Sequence, residues 1–190
     1  MKALEEKILR EGEILPGNIL RVNHFLNHQL DVDFLMEMGR EVARIYEGAG
    51  VNKILTIEAS GIALAVAVAA YMHVPALFAK KSASTNMSEG KLITQVESFT
   101  HQKVYNVMVS SDLLGPEDRV LIVDDFLARG NAVFGLMDLV AQAGGEVVGV
   151  TAAIEKGYQG GGDTLRARGV RVESLAVIDE MSETGIRFRD

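Results

Sequence analysis

Arg119-Val-Leu-Ile-Val-Asp124-Asp125-Phe-Leu-Ala128-Arg129-Gly130-Asn131-Ala132 is the stretch that decides the fold. Residues 119–123 form an almost continuous apolar run, the pattern of a central parallel strand covered on both faces. Asp124 to Gly130 reads as a loop, and Asn131 to Ala143 as a helix closed by Gly144-Gly145. Strand, short loop, helix is one half of a right-handed crossover unit.

The same unit recurs on either side. Upstream, Lys53 to Ile57 is a buried strand, Glu58-Ala59-Ser60-Gly61 a tight turn, and Ile62 to Met72 a helix of small residues able to lie close to a sheet. Pro75 to Ala79 is the next strand, ending at Lys80 and Lys81. Downstream come a strand from Val147 to Ile154, a glycine-rich loop from Tyr158 to Gly162, a short helix around Leu165 and a strand from Val170 to Ile178. Strands alternating with helices predict an α/β fold with a central, mostly parallel sheet flanked by helices. Leu92 to Phe99 and Val104 to Val109 are β-rich and predict a hairpin, preceded by a polar stretch from Lys80 to Lys91. Near the start, Met1 to Arg10 reads as an amphipathic helix with Leu4, Ile8 and Leu9 on its apolar side, and Asp33 as the cap of a helix running to Tyr46. Gly12 to Asp33 fits neither period, apart from a turn at Pro16-Gly17-Asn18.

Bulk properties narrow the classes. The 190 residues, 48% apolar and 24% charged, suit one globular domain, and no linker divides them. Cysteine is absent, so there is no disulfide framework, thiolate metal site or cysteine nucleophile. A net charge of −7 without a Lys/Arg cluster argues against nucleic acid as a partner. The longest apolar stretch, Gly61 to Ala70, is too short to span a bilayer, and the charged opening does not read as a signal peptide. A cytoplasmic protein without membrane contact is expected.

The chemistry concentrates at the ends of two strands. Ligands of open parallel sheets bind beyond the carboxyl ends. A loop feeding a helix N-terminus offers free N–H groups and the positive end of the helix dipole, which suits phosphate, and Gly130 lets the backbone approach it. The adjacent carboxylates of Asp124 and Asp125 cannot hold phosphate, but they accept hydrogen bonds from sugar hydroxyls and favour developing positive charge. A phosphorylated sugar satisfies both. An ordinary strand-to-helix turn has no need of paired buried carboxylates, which are costly without partners.

The thirteen residues Val120 to Ala132 resemble the motif of the type I phosphoribosyltransferases: a hydrophobic strand, two acidic residues, and a small loop with glycine. The resemblance implies that Asp124 and Asp125, the catalytic pair, lie along the ribose hydroxyls of phosphoribosyl pyrophosphate (PRPP), and that Ala128, Arg129, Gly130, Asn131 and Ala132 cradle its 5′-phosphate. Arg129 departs from the usual Thr or Asn, and a backbone cradle tolerates that. Glu58 to Ile62 resembles the family's pyrophosphate loop, giving Ala59, Ser60 and Gly61 to the leaving group together with Lys80 and Lys81. Residues 82–106 correspond to a flexible lid. Met1 to Asp31, notably Glu13 to Leu20 and Val22 to Gln29, resembles the hood (about residues 1–32, with C-terminal contributions) of the xanthine-using members; there Leu20 would pack on the purine, Asn27 would bond its edge and Lys156 would reach its carbonyl side. A salt bridge from Lys156 to Glu155 or Asp163 is the alternative. The resemblance further implies Mg²⁺ carried by PRPP with no protein ligand of its own, and a homodimer. His24 and His28 lie four apart without a third ligand nearby, so they do not make a metal site. The competing readings are a guanine, hypoxanthine or adenine enzyme of the same family, a PRPP-sensing transcription regulator, and a non-enzymatic nucleotide-binding module.

Overall fold

The structure, a computed structural model, describes residues 1–81, 90–98, 103–182 and 184–189. The elements are α1 (Lys2–Glu11), β1 (Glu13–Leu15), β2 (Ile19–Arg21), α2 (Val32–Ile45), β3 (Lys53–Ile57), α3 (Gly61–Met72), β4 (Ala76–Ala79), β5 (Lys91–Ser98), β6 (Lys103–Ser110), β7 (Arg119–Leu127), α4 (Asn131–Ala143), β8 (Glu146–Lys156), α5 (Gly161–Ala167), β9 (Val172–Ser182) and β10 (Gly185–Phe188).

Six strands form the central sheet in the order β10-β9-β8-β7-β3-β4. All neighbours are parallel except β10, which turns back antiparallel on β9. The chain lays β4 on one side of β3 and then crosses to β7 on the other. The strand order therefore reverses between β3 and β7, the place where open α/β sheets leave a crevice for ligand.

Side chains along β7 alternate between two apolar layers, as the period of a strand requires. Leu121 and Val123 pack with Ile54 against the layer of α1, α2 and α3, and Val120 and Ile122 pack with Leu55 against the layer of α4, α5 and the β5–β6 hairpin. Burial on both faces explains the unbroken apolar run.

Several boundaries differ from the sequence reading. β7 continues through Asp124 and Asp125 to Leu127, because it pairs with β8 as far as Leu127 opposite Glu155; the paired carboxylates are strand residues, not loop residues. β8 likewise runs on to Lys156. The cap of α2 is Asp31, not Asp33: its carboxylate accepts from the Phe34 N–H at 3.2 Å and from the Lys7 ammonium at 2.7 Å. Leu9 faces solvent, while Leu4, Lys7 and Ile8 form the buried side of α1. β10 had no reading at all, since four residues after a turn carry too little pattern.

The stretch from Gly12 to Asp31 is a β1–β2 hairpin turning at Pro16-Gly17-Asn18, then a single π-helical turn at Asn23–Asn27. Lys7 fastens it. Its ammonium bonds Asp31 and Glu11 and lies over the Phe25 and Phe34 rings at 5.3 and 5.0 Å, which joins α1, the π turn and the cap of α2. Burial works against this charge, yet the two carboxylates hold its pKa above the ordinary lysine value.

Candidate active site

β3 and β7 end side by side at the crevice, and their loops supply most of the singled-out residues. Beyond β7, Ala128 to Ala132 turn into α4, with Gly130 at φ +87°, a left-handed conformation that glycine adopts without strain. These residues line a cavity of about 190 Å³ together with Asp124, Phe126, Val96, Glu97 and Tyr105. The α4 N-terminus opens onto it with no side-chain cap of its own. An anion placed there meets the N–H groups of the first helical turn and the dipole's positive end.

Asp124 and Asp125 point to different surroundings. Asp124 borders the cavity and accepts the Asp125 backbone N–H at 2.9 Å. Asp125 accepts from Ser60 Oγ at 2.9 Å and from Asn27 Nδ2 at 3.3 Å. One carboxylate thus joins the loop after β3, the end of β7 and the π turn. Both are nearly closed to solvent, at 7% and 6% exposure. Desolvation first, and then the charge of Asp125, push the Asp124 carboxyl well above the usual carboxylate range, with Lys81 acting weakly the other way. Two acids held this close strongly favour a positive charge between or beside them.

The loop after β3 is pinned from two sides. Glu58 takes the Lys81 backbone N–H on Oε1 at 2.6 Å, and its own N–H donates to the Ala79 carbonyl at 3.0 Å. The Glu58–Ala59 peptide is cis. Ala59 and Ser60 are exposed at the crevice. Gly61 begins α3 so close to β7 that a methyl group there would fall within 3.0 Å of both Thr56 Oγ1 and Asp124 Oδ1. Lys80 is anchored by backbone pairing with Met108, and the Lys81 ammonium lies 5.3 Å from the Tyr105 ring, next to the cavity.

Lys156, half-buried at the end of β8, stands 5.3 Å over the Phe126 ring. Loss of hydration lowers its pKa. The salt-bridge alternative does not hold: Glu155 is taken by Arg166 and Ser174, and Asp163 by Arg166 and Arg189. Leu20 sits in the apolar cluster with Leu4 and Ile8 and is not part of the cavity lining. Of the segment expected to close over the site, residues 82–89 and 99–102 lie outside the described residues. No group of three or more His, Asp or Glu side chains able to hold a metal occurs among the described residues. The two carboxyl groups nevertheless offer the oxygen donors that suit a hard cation brought in by a ligand.

The sequence assigns no individual role to four contributors. Glu58 fixes the loop after β3, Tyr105 and Phe126 wall the cavity and the base of Lys156, and Gly161 donates its N–H to the Ala128 carbonyl at 3.1 Å. Phe126 was within reach, since extending β7 by the strand period places it among the site residues. The other three depend on contacts between distant segments.

Residues 32–164 match the phosphoribosyl transferase domain family. The chain is 51% identical over 190 residues to xanthine phosphoribosyltransferase 1 of Clostridium perfringens, covering 100% of both chains. It is 50% identical over 190 residues to xanthine phosphoribosyltransferase of Clostridioides difficile, again covering 100% of both. Among solved structures, adenine phosphoribosyltransferase of Leishmania tarentolae superposes with a TM-score of 0.76 at 16% identity, covering 95% of this chain and 90% of that one. At that identity the likeness concerns the fold.

Proposed function

The chain belongs to the phosphoribosyltransferase family, and from that premise we infer that it is a xanthine phosphoribosyltransferase, a pentosyl-transferring enzyme of purine salvage. It moves the 5-phosphoribosyl group of PRPP to xanthine, giving xanthosine 5′-monophosphate and pyrophosphate. One observation carries the reading: two buried carboxylates lie near the end of β7, just before a glycine-containing loop at a helix N-terminus, at the switch point of the sheet.

In this assignment the backbone of Ala128 to Ala132 takes the 5′-phosphate. Asp124 and Asp125 take the ribose hydroxyls, and Ala59 to Gly61 with Lys80 and Lys81 take the pyrophosphate. The C1–oxygen bond to pyrophosphate breaks as a purine nitrogen attacks C1 from the opposite face. The electron pair leaves with pyrophosphate, and the purine N–H proton passes to solvent. Positive charge gathers on the ribosyl ring in the transition state, beside the two carboxylates, which stabilise it electrostatically. Mg²⁺ carried in by PRPP beside Asp124 and Asp125 would supply charge neutralisation for the leaving pyrophosphate oxygens. No covalent intermediate is needed, and the remaining rate gain comes from positioning.

Residues 1–32 form the hood in this reading, and 82–106 the lid that keeps water from the transition state. Lys156 donates to a purine oxo group over the Phe126 ring, Asn27 bonds the purine edge, and Leu20 packs on the purine. Asn27 now spends its amide on Asp125, so ribose binding would release it toward the base.

The test is a spectrophotometric assay with PRPP and Mg²⁺, offering xanthine, guanine, hypoxanthine and adenine separately. Rapid nucleotide formation with xanthine and slow reaction with the others is expected. Preference for another base would overturn the roles of Leu20, Asn27 and Lys156. Measurable PRPP binding without turnover on any base would favour the PRPP-sensing regulator.

A homodimer and a cytoplasmic location complete the proposal. Among the described residues no helix is long and apolar enough to cross a membrane. Val66, Ala70 and Tyr71 of α3 and Phe78 of the edge strand β4 are exposed, with Val66 at 56%, and a second copy would cover this apolar surface. Sedimentation equilibrium should give twice the chain mass, and Val66→Glu should shift it toward one chain. A wild-type monomer at micromolar concentration would sink the dimer.

A further inference from the structure

We infer that Gly161, held in place by the buried Glu155–Arg166 pair, is a positioning residue for the backbone loop at 128–132. The inference rests on the reading of that loop as the seat of the 5′-phosphate. It starts from Glu155, which is wholly buried. A carboxylate in that position is tolerated only with close partners. Arg166 supplies two parallel bonds of 2.8 Å, one to each oxygen, and Ser174 Oγ adds a third at 2.7 Å. The planar guanidinium fixes orientation as well as distance. Arg166 lies in the last turn of α5 and Ser174 on β9, so these bonds seat α5 on the end of β8 and tie both to β9. Gly162 rests directly on the Glu155 carboxylate, with no room for a Cβ.

One residue earlier, this seating presses Gly161 against the back of the phosphate loop. Its N–H donates to the Ala128 carbonyl at 3.1 Å. A Cβ at Gly161 would lie within 3.0 Å of Ala128 O, Arg129 C and Gly130 N. All three are backbone atoms of the loop, which cannot swing aside as a flexible side chain can. A cradle made of N–H groups works only if those groups are fixed before the anion arrives. α5 supplies the backing, while the neighbouring Lys156 on the same strand serves the base. One strand end thereby sets both ends of the nucleotide.

Gly161 does not have a positive φ, so alanine is allowed by its backbone and is the better helix former. Gly161→Ala therefore separates local propensity from loop position. The experiment measures KM for PRPP and for xanthine, kcat, and thermal unfolding of the full chain. Expected is a rise in KM for PRPP of about 10- to 100-fold, as a displacement near 1 Å can produce, with KM for xanthine nearly unchanged and one cooperative unfolding transition. Arg166→Lys keeps the charge beside Glu155 but loses the two-pronged geometry, and should raise KM for PRPP by a smaller factor with the same selectivity. It also serves if Gly161→Ala does not fold. An unchanged KM for PRPP in a folded variant, or an equal rise for both substrates, would overturn the inference while leaving the functional reading intact. Failure of the wild-type chain to use PRPP would instead bring down the functional reading and this inference with it.

Discussion

Asp125→Ala is expected to lower kcat by about 10²- to 10³-fold, the scale of losing one preorganised electrostatic group aimed at transition-state charge. The carboxylate touches both Ser60 and Asn27, so its loss also loosens the loop after β3 and the π turn over the crevice. Thermal stability should nevertheless hold. Removing Asp125 takes away the like charge that helps keep the Asp124 carboxyl above its usual range. The sign follows from proton counting. A raised native pKa means the folded state holds its proton where the unfolded chain has released it, so this carboxyl makes stability fall as pH climbs above the ordinary carboxylate range. The variant should show a flatter decline over that window. Single-turnover kinetics with PRPP and xanthine, beside melts between pH 4 and pH 8, read both effects. Near-normal turnover in Asp125→Ala would remove the carboxylate pair from the mechanism.

Lys156→Met should cut kcat/KM for xanthine by about 10- to 100-fold, the worth of one hydrogen bond from a charged donor, and leave KM for PRPP nearly unchanged. The ammonium makes no ion pair within the described residues and rests over Phe126, so removing it strands no buried carboxylate. Its lowered pKa adds a second signature. Desolvation makes the proton leave earlier than from an ordinary lysine, so activity that needs the ammonium fades at the alkaline side sooner. Lys156→Arg keeps its charge throughout that range and should carry the alkaline limb upward. The profile of kcat/KM against pH for the three proteins is the measurement. Identical alkaline limbs in wild type and Lys156→Arg would show that Lys156 does not contact the base while charged.

The local signals were strong where chemistry and secondary structure share one short segment. Val120 to Ala132 carried strand, acids, phosphate loop and helix in sequence, and the α/β class followed from its repetition at Lys53 to Met72. The lapses were equally local. The strand reading stopped at Asp124 because acids rarely lie inside a buried strand, yet β8 continues alongside and supplies the ladder bonds that carry β7 to Leu127. Asp33 lost the capping role to Asp31 because Lys7, on another helix, holds the Asp31 carboxylate there.

By itself, then, the sequence determined the α/β class, the central strand, the phosphate-type loop after it and the acids beside that loop, since each lies within one or two turns of chain and obeys a short period. Only the tertiary structure decided which acid meets which partner. Asn27 reaches Asp125 across 98 positions and Gly161 backs Ala128 across a full crossover, because the packing of helices on the sheet, not any local preference, brings such segments together.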